Sequence, residues 1–365
     1  MAGHGSIIDQ RGADVKRQRY TLGSFLNSTL GFWPRALKKA WLPALACLLP
    51  SAVLMGIGFA RMGPMLALFT EPGFEFGAWM IGRIVEPYAW LAAANLAAAV
   101  GYLSINIIIS NLCFATQDGQ DPVMAPTVRQ QLRRSFWPLL GQSILLGLIM
   151  GGGLLIATGL IMLLAVGIGL ATGVAGGSVA GVLLMMLLTM TLSLGLVAVL
   201  YWFMTRVIIA PQAVIREGVK AWAGIVRSFR LTKGNFWRIF GNNFLLQLML
   251  GFAISIVTGP IVFVTVLPGY LKFFSAALNN PQDSLVSLQI LSGLFSSMSW
   301  GMAFSTLLSG LASWTFLPIF HCLVYTDLAV RHGEVAPDEL TSETPPTDAA
   351  SSIQAEPAPQ GNVDV

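Results

Sequence analysis

The sequence predicts an all-α, polytopic membrane protein with about six transmembrane helices, and three observations support this fold class. Hydrophobic residues make up 55% of the chain and charged residues only 10%, whereas soluble domains usually carry about 25% charged residues. Several runs long enough to cross about 30 Å of hydrocarbon contain no Asp, Glu, Lys or Arg. A Phe-Trp pair recurs before every second run.

Six apolar runs define the predicted spans. They lie at about 41–60, 88–110, 139–171, 179–204, 241–268 and 293–323. The third run is longer than a bilayer requires, so we expect it to tilt or to project from the membrane. A short glycine-rich turn, Gly173 to Ser178, separates it from the fourth.

Glycine and proline suggest how two of the spans pack and bend. Small residues let helices approach closely in a membrane, so a glycine-rich run in span three predicts close packing there. This run consists of Gly147, Gly151, Gly152 and Gly153. In span five, Gly259-Pro260 predicts a kink, because proline removes one backbone hydrogen bond and crowds the preceding turn.

The basic residues predict the orientation of the chain. Of the 21 Lys and Arg residues, only Arg61, Arg83 and Lys272 fall on one side of the predicted spans, and all others fall on the opposite side. Loops rich in Lys and Arg stay in the cytoplasm. We therefore expect both termini to be cytoplasmic, in agreement with an even number of spans.

The Phe-Trp pairs predict an internal threefold repeat. They are Phe32-Trp33, Phe136-Trp137 and Phe236-Trp237, and each ends a basic amphipathic stretch that is followed by two spans. Aromatic rings favour the level of the lipid headgroups. We predict three units of one interfacial helix and two spans each, at about 21–110, 122–204 and 211–326.

The first and third units show the predicted interfacial helix most clearly. An apolar stripe with helical spacing predicts a helix that lies in the membrane surface with its cations toward the headgroups. In the third unit the stripe is Ile215, Val219, Trp222, Val226 and Phe229, and in the first it is Leu22, Leu26, Leu30, Trp33 and Leu37. Lys233 and Gly234 predict a left-handed helix cap.

The basic residues of the third unit are the first candidate site. They are Arg216, Lys220, Arg227, Arg230 and Lys233, and we add Trp33, Trp137 and Trp237 of the three Phe-Trp pairs as further candidate contacts with lipid or a partner. Cations near an anionic leaflet contribute about 1 kcal/mol each. Generic anchoring to membrane lipids and a specific lipid or protein contact both explain them.

A second candidate is a polar face within span two. Asn95, Tyr102, Asn106 and Ser110 follow one another at spacings of seven, four and four, so they share one side of a helix. Hydrogen bonds between helices explain this face, and the lining of a polar cavity is the alternative.

The polar ends flank the membrane domain, which we place at 21–334. Residues 1–20 form a polar N-terminal segment. Residues 335–365 are acidic and proline-rich and contain no Lys or Arg. Such a segment cannot bury enough apolar surface to order itself, so we predict a disordered tail.

The sequence shows no catalytic, metal or cofactor motif. The predicted spans contain no ionisable Asp, Glu, Lys or Arg, which are the residues that usually mark proton or ion pathways. Cys47, Cys113 and Cys322 are far apart and lack CxxC spacing. Since the basic residues lie beside apolar spans, they indicate membrane topology and not nucleic acid as the partner.

Two stretches resemble a known family. Residues 210–239 carry Ala210-Pro211, Glu217-Gly218, Arg227-Ser228 and Leu231 to Arg238, and the chain continues after span six with Leu323 to Leu328, Arg331 and Glu334. These elements resemble the membrane domain found with glycerophosphoryl diester phosphodiesterases and its stand-alone relatives. The resemblance implies an integral protein of the bacterial cytoplasmic membrane and does not imply the phosphodiesterase activity, whose catalytic barrel is a separate domain.

These observations support three functional hypotheses. The first is a non-enzymatic module that organises membrane lipids or a membrane or cytoplasmic protein partner at the cytoplasmic face. The second is a transporter or flippase component for an amphiphilic molecule, based on the polar face of span two and the predicted kink. The third, which the missing motifs make the weakest, is a membrane enzyme that uses Asp118 and Asp121.

Overall fold

The structure is a computed structural model that describes residues 19–69, 77–119, 126–171, 179–279 and 284–335. These residues form helices joined by short turns, without a β-strand among them. The eight helices are α1 (Leu22–Leu68), α2 (Ala78–Gln117), α3 (Pro126–Ala171), α4 (Val179–Val207), α5 (Ala210–Glu217), α6 (Ala221–Thr232), α7 (Phe236–Asn279) and α8 (Ser284–Arg331).

Six of the described helices are long and apolar enough to cross a membrane. The shortest of the long helices, α4, has 29 residues, which at 1.5 Å per residue give about 44 Å. Each predicted span lies inside one of α1, α2, α3, α4, α7 and α8. The all-helical fold class and the number of helices of membrane length are therefore confirmed. The predicted turn at 173–178, most of the N-terminal segment and the tail from residue 336 lie outside the described residues.

The basic stretches of the first two predicted units are not separate helices. Thr21 caps α1 through its side-chain oxygen, which accepts a hydrogen bond from the Ser24 amide, and the Ser24 hydroxyl oxygen accepts one from the Thr21 amide. From there α1 continues without a break through Pro34 into the apolar run. The basic stretch before span three is likewise part of α3. The prediction of a distinct interfacial helix is wrong for these two units, and the threefold repeat stays a prediction.

The third basic stretch does contain separate helices, but there are two of them. Gly218 ends α5 in the left-handed conformation (φ 67°), which glycine adopts without steric cost. The chain restarts as α6 at Ala221, so the predicted single stripe from Ile215 to Phe229 is wrong. The predicted end of α6 is confirmed, because the helix stops at Thr232 and Gly234 has a φ of 82°.

The core lies between α1, α2 and α8, with α7 packed against α8. Glycines mark the closest approaches. A Cβ atom added at Gly101 of α2 would lie 2.8 Å from the Cys47 carbonyl oxygen of α1, and one at Gly310 of α8 would lie 2.4 Å from Leu48. The packing role predicted for the glycines of span three is wrong, because an added Cβ there would meet nothing within 4 Å. Those residues are Gly147, Gly151, Gly152 and Gly153.

Helices α3 and α4 pack against each other. Helix α3 also contacts α2, α5 and α6, and α4 also contacts α6 and α7. In the most apolar stretch of each helix no side chain is buried. Helix α7 runs through Gly259 and Pro260 as one helix, and the bend expected at that position stays a prediction.

Candidate functional site at the basic end of the bundle

One end of the bundle collects most of the charged contacts, and we call it the basic end. It consists of α5, α6, the first turns of α1, α3 and α7, and the last turns of α2, α4 and α8. Among the described residues, the opposite end shows the ion pair between Arg61 of α1 and Glu86 of α2, with 3.5 Å between nitrogen and oxygen. The candidate basic residues of the third predicted unit all lie at the basic end.

A fully buried carboxylate, Asp327 of α8, joins three helices at this end. Its Oδ1 accepts a hydrogen bond of 2.7 Å from the Tyr20 backbone amide, which precedes α1. Arg331, one turn later on α8, donates from Nε to both oxygens at 3.0 Å. Arg238 of α7 donates to Oδ2. Both guanidinium groups also donate to the Tyr20 carbonyl oxygen at 3.3 Å.

The two arginines therefore more than compensate the negative charge of Asp327 and leave one net positive charge. A buried carboxylate is stable only when it is paired and hydrogen-bonded, and both conditions hold here. Removing the carboxylate would leave two neighbouring cations to repel each other.

A second group of charges fixes α6 against α5 and the segment after α8. Arg227 of α6 donates from Nε to Glu217 of α5 at 2.8 Å, and its two terminal nitrogens bind both oxygens of Glu334. The Tyr325 hydroxyl donates to the same Glu217 oxygen. Hydrogen bonds from Arg227 lower the pKa of Glu334, and the same contact raises the pKa of Arg227.

A third contact joins α5 to α2. Arg216 donates two parallel hydrogen bonds to Asp118, at 2.5 and 2.8 Å, and its guanidinium lies 5.1 Å from the centre of the Phe114 ring. Asp118 was a candidate acid for a membrane enzyme, and here an arginine holds both of its oxygens. Asp121, its proposed companion, lies outside the described residues.

These contacts divide the predicted cluster of five cations. Arg216 and Arg227 have their guanidinium groups engaged by carboxylates of the protein itself. Lys220 and Lys233 are exposed. Arg230 is exposed as well and has one long contact, 4.0 Å, with Glu334. The structure therefore leaves three of the five cations free to face a lipid or a partner.

The three tryptophans of the Phe-Trp pairs have different surroundings. Trp33 donates its indole N–H to the Thr315 hydroxyl of α8 at 2.9 Å and packs against Phe316. Trp137 and Trp237 are 71% and 77% exposed. Trp33 thus contributes to the packing of α1 on α8, whereas the other two rings are available at the surface.

The four residues of the predicted polar face are also divided. Asn95 is exposed, and its amide donates to the Leu91 carbonyl of its own helix. Tyr102 makes an edge-to-face contact with Trp314, with 5.9 Å between ring centres. Asn106 and Ser110 are fully buried, and the Ser110 hydroxyl donates to Asn106 at 3.0 Å.

The buried half of this face continues into α5 and has unused hydrogen-bonding capacity. The Gln212 amide lies 3.5 Å from the Asn106 carbonyl oxygen. Within the described part of the chain, the amide nitrogen of Asn106 and the carbonyl oxygen of Gln212 are buried without partners, and so are both polar atoms of Gln142 on α3. Such atoms are costly to bury unless water or a ligand satisfies them.

The described residues also line three cavities. Two are apolar, about 330 and 360 Å³ in volume; the first lies between α1 and α8, and the second between α1, α7 and α8. Leu26, Leu30 and Trp33 of the predicted stripe on α1 line the second. The third, about 210 Å³, is polar and lies at the basic end between α2, α3 and α5. In the described residues, no cluster of three or more His, Cys, Asp or Glu side chains could hold a metal ion.

Sequence reasoning missed the residues that hold the basic end together, above all Asp327, Tyr20 and Arg238. A signal for two of them was present. Asp327 belongs to the second stretch that carries the family resemblance, and Arg238 closes the first. The spacing of 89 residues between them gives no indication of contact by itself.

No family model matches the chain, and neither a curated protein nor a solved structure matches it.

Proposed function

We propose that this chain is a non-enzymatic, multi-pass protein of the bacterial cytoplasmic membrane that organises anionic lipid at its basic end. In this proposal the basic end faces the cytoplasm. The support for that orientation is the distribution of Lys and Arg between the two sides. The resemblance to the membrane domain of glycerophosphoryl diester phosphodiesterases supports the choice of membrane.

The observation that carries the proposal is the exposed face of α6. Trp222, Val226 and Arg230 recur at intervals of four, Lys233 follows, and all four are exposed. The opposite face, which includes Gly224, Ile225, Ser228, Leu231 and Thr232, is buried. An aromatic ring, an aliphatic side chain and cations on one face are typical of a helix at the membrane surface.

The ion pairs explain how this face keeps its position. Arg227 ties α6 to α5 and to Glu334, and the Ser228 hydroxyl donates to the Arg206 carbonyl at the end of α4 at 2.6 Å. A helix fixed to its neighbours through Arg227 and Ser228 presents its cations in a fixed arrangement, so less conformational entropy is lost when a lipid binds.

The test measures how strongly the purified protein retains phosphatidylglycerol relative to phosphatidylcholine, for example by native mass spectrometry of the protein–lipid complexes. The variant Lys220→Gln/Lys233→Gln removes two free cations at about 1 kcal/mol each. We expect the preference for phosphatidylglycerol to fall by at least threefold, with roughly 30-fold as the upper limit. Arg61→Gln/Arg83→Gln changes the net charge equally at the opposite end and serves as the control.

An unchanged preference in the Lys220/Lys233 variant would contradict the proposal. An equal loss in the Arg61/Arg83 control would also contradict it, because the effect would then reflect net charge and not the basic end. If lipid retention is unchanged but a co-purifying protein is lost only from the Lys220/Lys233 variant, the basic end serves a protein partner in place of lipid.

A second function, transport or flipping of an amphiphile, is favoured by buried amide atoms that have no hydrogen-bond partner among the described residues, namely the Asn106 nitrogen, the Gln212 oxygen and both polar atoms of Gln142. Such groups could accommodate a polar headgroup that passes between α2, α3 and α5. In proteoliposomes, Asn106→Leu should then abolish the exchange of a fluorescent lipid between leaflets, whereas Asn95→Leu should not, since Asn95 is exposed and bonded to its own helix. Exchange that persists in Asn106→Leu would remove the basis of this alternative.

A further inference from the structure

The polar cavity at the basic end differs in chemistry from the two apolar ones. Six of the residues that line it are Asn111 and Phe114 of α2, Arg134 and Ser135 of α3, and Ile215 and Arg216 of α5. Its volume of about 210 Å³ is sufficient for one tetrahedral anion together with several water molecules. Two guanidinium groups therefore line a space of limited size.

The charges around the cavity do not cancel. Asp118 occupies Arg216 with two hydrogen bonds, so that pair is neutral. Arg134 is exposed, and within the described part of the chain it makes neither a hydrogen bond nor an ion pair. One positive charge thus remains at the cavity without a counterion from the described protein.

Two further features favour binding of a ligand by the Arg134 guanidinium. The nearest Arg134 nitrogen would lie 2.9 Å from a Cβ atom added at Gly218, so the missing side chain at Gly218 lets the guanidinium lie against the end of α5 without being displaced. Ser135, the next residue, is 7% exposed and lines the same cavity. Its hydroxyl forms no hydrogen bond with any described residue and is available as a donor.

We propose that this cavity binds a phosphate group, with Arg134 as the charged ligand and Ser135 as the hydroxyl donor. A guanidinium matches two phosphate oxygens in a planar fork, and a serine hydroxyl supplies a third hydrogen bond. Such a group can belong to a lipid headgroup or to free inorganic phosphate. The site is separate from the exposed face of α6, because neither Lys220 nor Lys233 lines the cavity. The two proposals can therefore fail independently.

The experiment uses the full chain in a neutral detergent and follows its thermal unfolding. One arm titrates inorganic phosphate, with sodium chloride at matched ionic strength as the reference. The other arm titrates a short-chain phosphatidic acid against the phosphatidylcholine of the same chain length. We expect a saturable stabilisation in at least one arm. Stabilisation by inorganic phosphate would identify a site for the free anion, and stabilisation by phosphatidic acid alone would identify a site for a lipid headgroup.

Variants assign the effect to the cavity. Arg134→Gln should weaken binding by at least about tenfold, because a charge-assisted hydrogen bond contributes about 1.5–3 kcal/mol. Ser135→Ala should weaken it by a smaller factor, and Arg134→Lys should retain part of the affinity, since the charge remains without the fork. Arg133→Gln is the matched control, because Arg133 is exposed and does not line the cavity.

Three results would overturn the proposal. One is the absence of saturable stabilisation in both arms. Another is unchanged binding in Arg134→Gln. The third is an equal loss of affinity in Arg133→Gln, since the ligand would then respond to diffuse positive charge and not to this cavity.

Discussion

The buried carboxylate of Asp327 offers the sharpest test of how the basic end is stabilised. The substitution Asp327→Asn keeps the size of the side chain and removes its charge. Arg238 and Arg331, which both donate to this carboxylate, would then lie close together without an anion. The Tyr20 amide, now 2.7 Å from Oδ1, would also face a weaker acceptor.

The magnitude follows from burial. Breaking a buried ion pair by removing one partner costs about 3–5 kcal/mol. Asp327 is fully buried, but the two arginine side chains are 29% exposed, so water compensates part of the loss. We therefore expect a loss near the lower limit, about 3 kcal/mol. With an unfolding entropy of about 2.1 cal/mol/K per residue over 365 residues, this corresponds to about 4 °C in the unfolding midpoint.

The assay is thermal unfolding of the purified protein in detergent, followed by intrinsic tryptophan fluorescence. Asp118→Asn is the matched control, because it removes a carboxylate from a pair whose side chains are 35% and 20% exposed. A pair near the surface contributes about 1 kcal/mol or less, so the midpoint should fall by no more than about 1.3 °C. If Asp327→Asn unfolds at the wild-type temperature, or if Asp118→Asn is the more damaging change, Asp327 does not hold the basic end together.

Two further predictions concern helix packing and pH. Gly101→Ala should destabilise the protein by about 1–3 kcal/mol, because its Cβ would press on the Cys47 backbone. Gly151→Ala, with no described atom within 4 Å of the added Cβ, should be neutral or stabilising by up to about 1 kcal/mol. A higher thermal unfolding midpoint for Gly101→Ala than for Gly151→Ala would contradict the packing described. Arg227 holds the pKa of Glu334 below its ordinary value of 4.5, so the contribution of this carboxylate is complete above pH 4.5 and is lost as the pH falls through the folded-state pKa. The difference in unfolding midpoint between wild type and Glu334→Gln should therefore shrink below pH 4.5, and a constant difference would show that the ion pair contributes nothing.

The long helices could be predicted from the sequence because length and lack of charge are local properties. An uncharged run of 20 residues has few alternatives to a helix of membrane length, and each predicted span lies inside such a helix. The helices extend beyond the predicted limits, since polar residues continue them at the basic end. Hydropathy marks the apolar part of a helix and not its ends.

The break at Gly218 and the ion pairs could not be predicted in the same way. The apolar residues around Gly218 keep helical spacing on both sides of it, so periodicity indicates one helix where the chain forms two. Asp118, which pairs with Arg216, lies 98 positions away from it along the chain, and Glu334, which pairs with Arg227, lies 107 positions away. Such pairings depend on the tertiary arrangement of the helices, which the residue pattern of a single chain does not contain.

The extensive contact between α1 and α8 has a consequence for the synthesis of the protein. The first and the last long helix share the centre of the core, through Leu48 against Gly310, the Trp33–Thr315 hydrogen bond and the Tyr20–Asp327 contact. A ribosome completes α1, which ends at Leu68, about 260 codons before it completes α8, which ends at Arg331. Until then the polar groups of α1 that α8 satisfies have no native acceptor. Although α1 can pack against α2 earlier, the part of the core that lies between α1 and α8 can therefore form only after the last long helix has been synthesised.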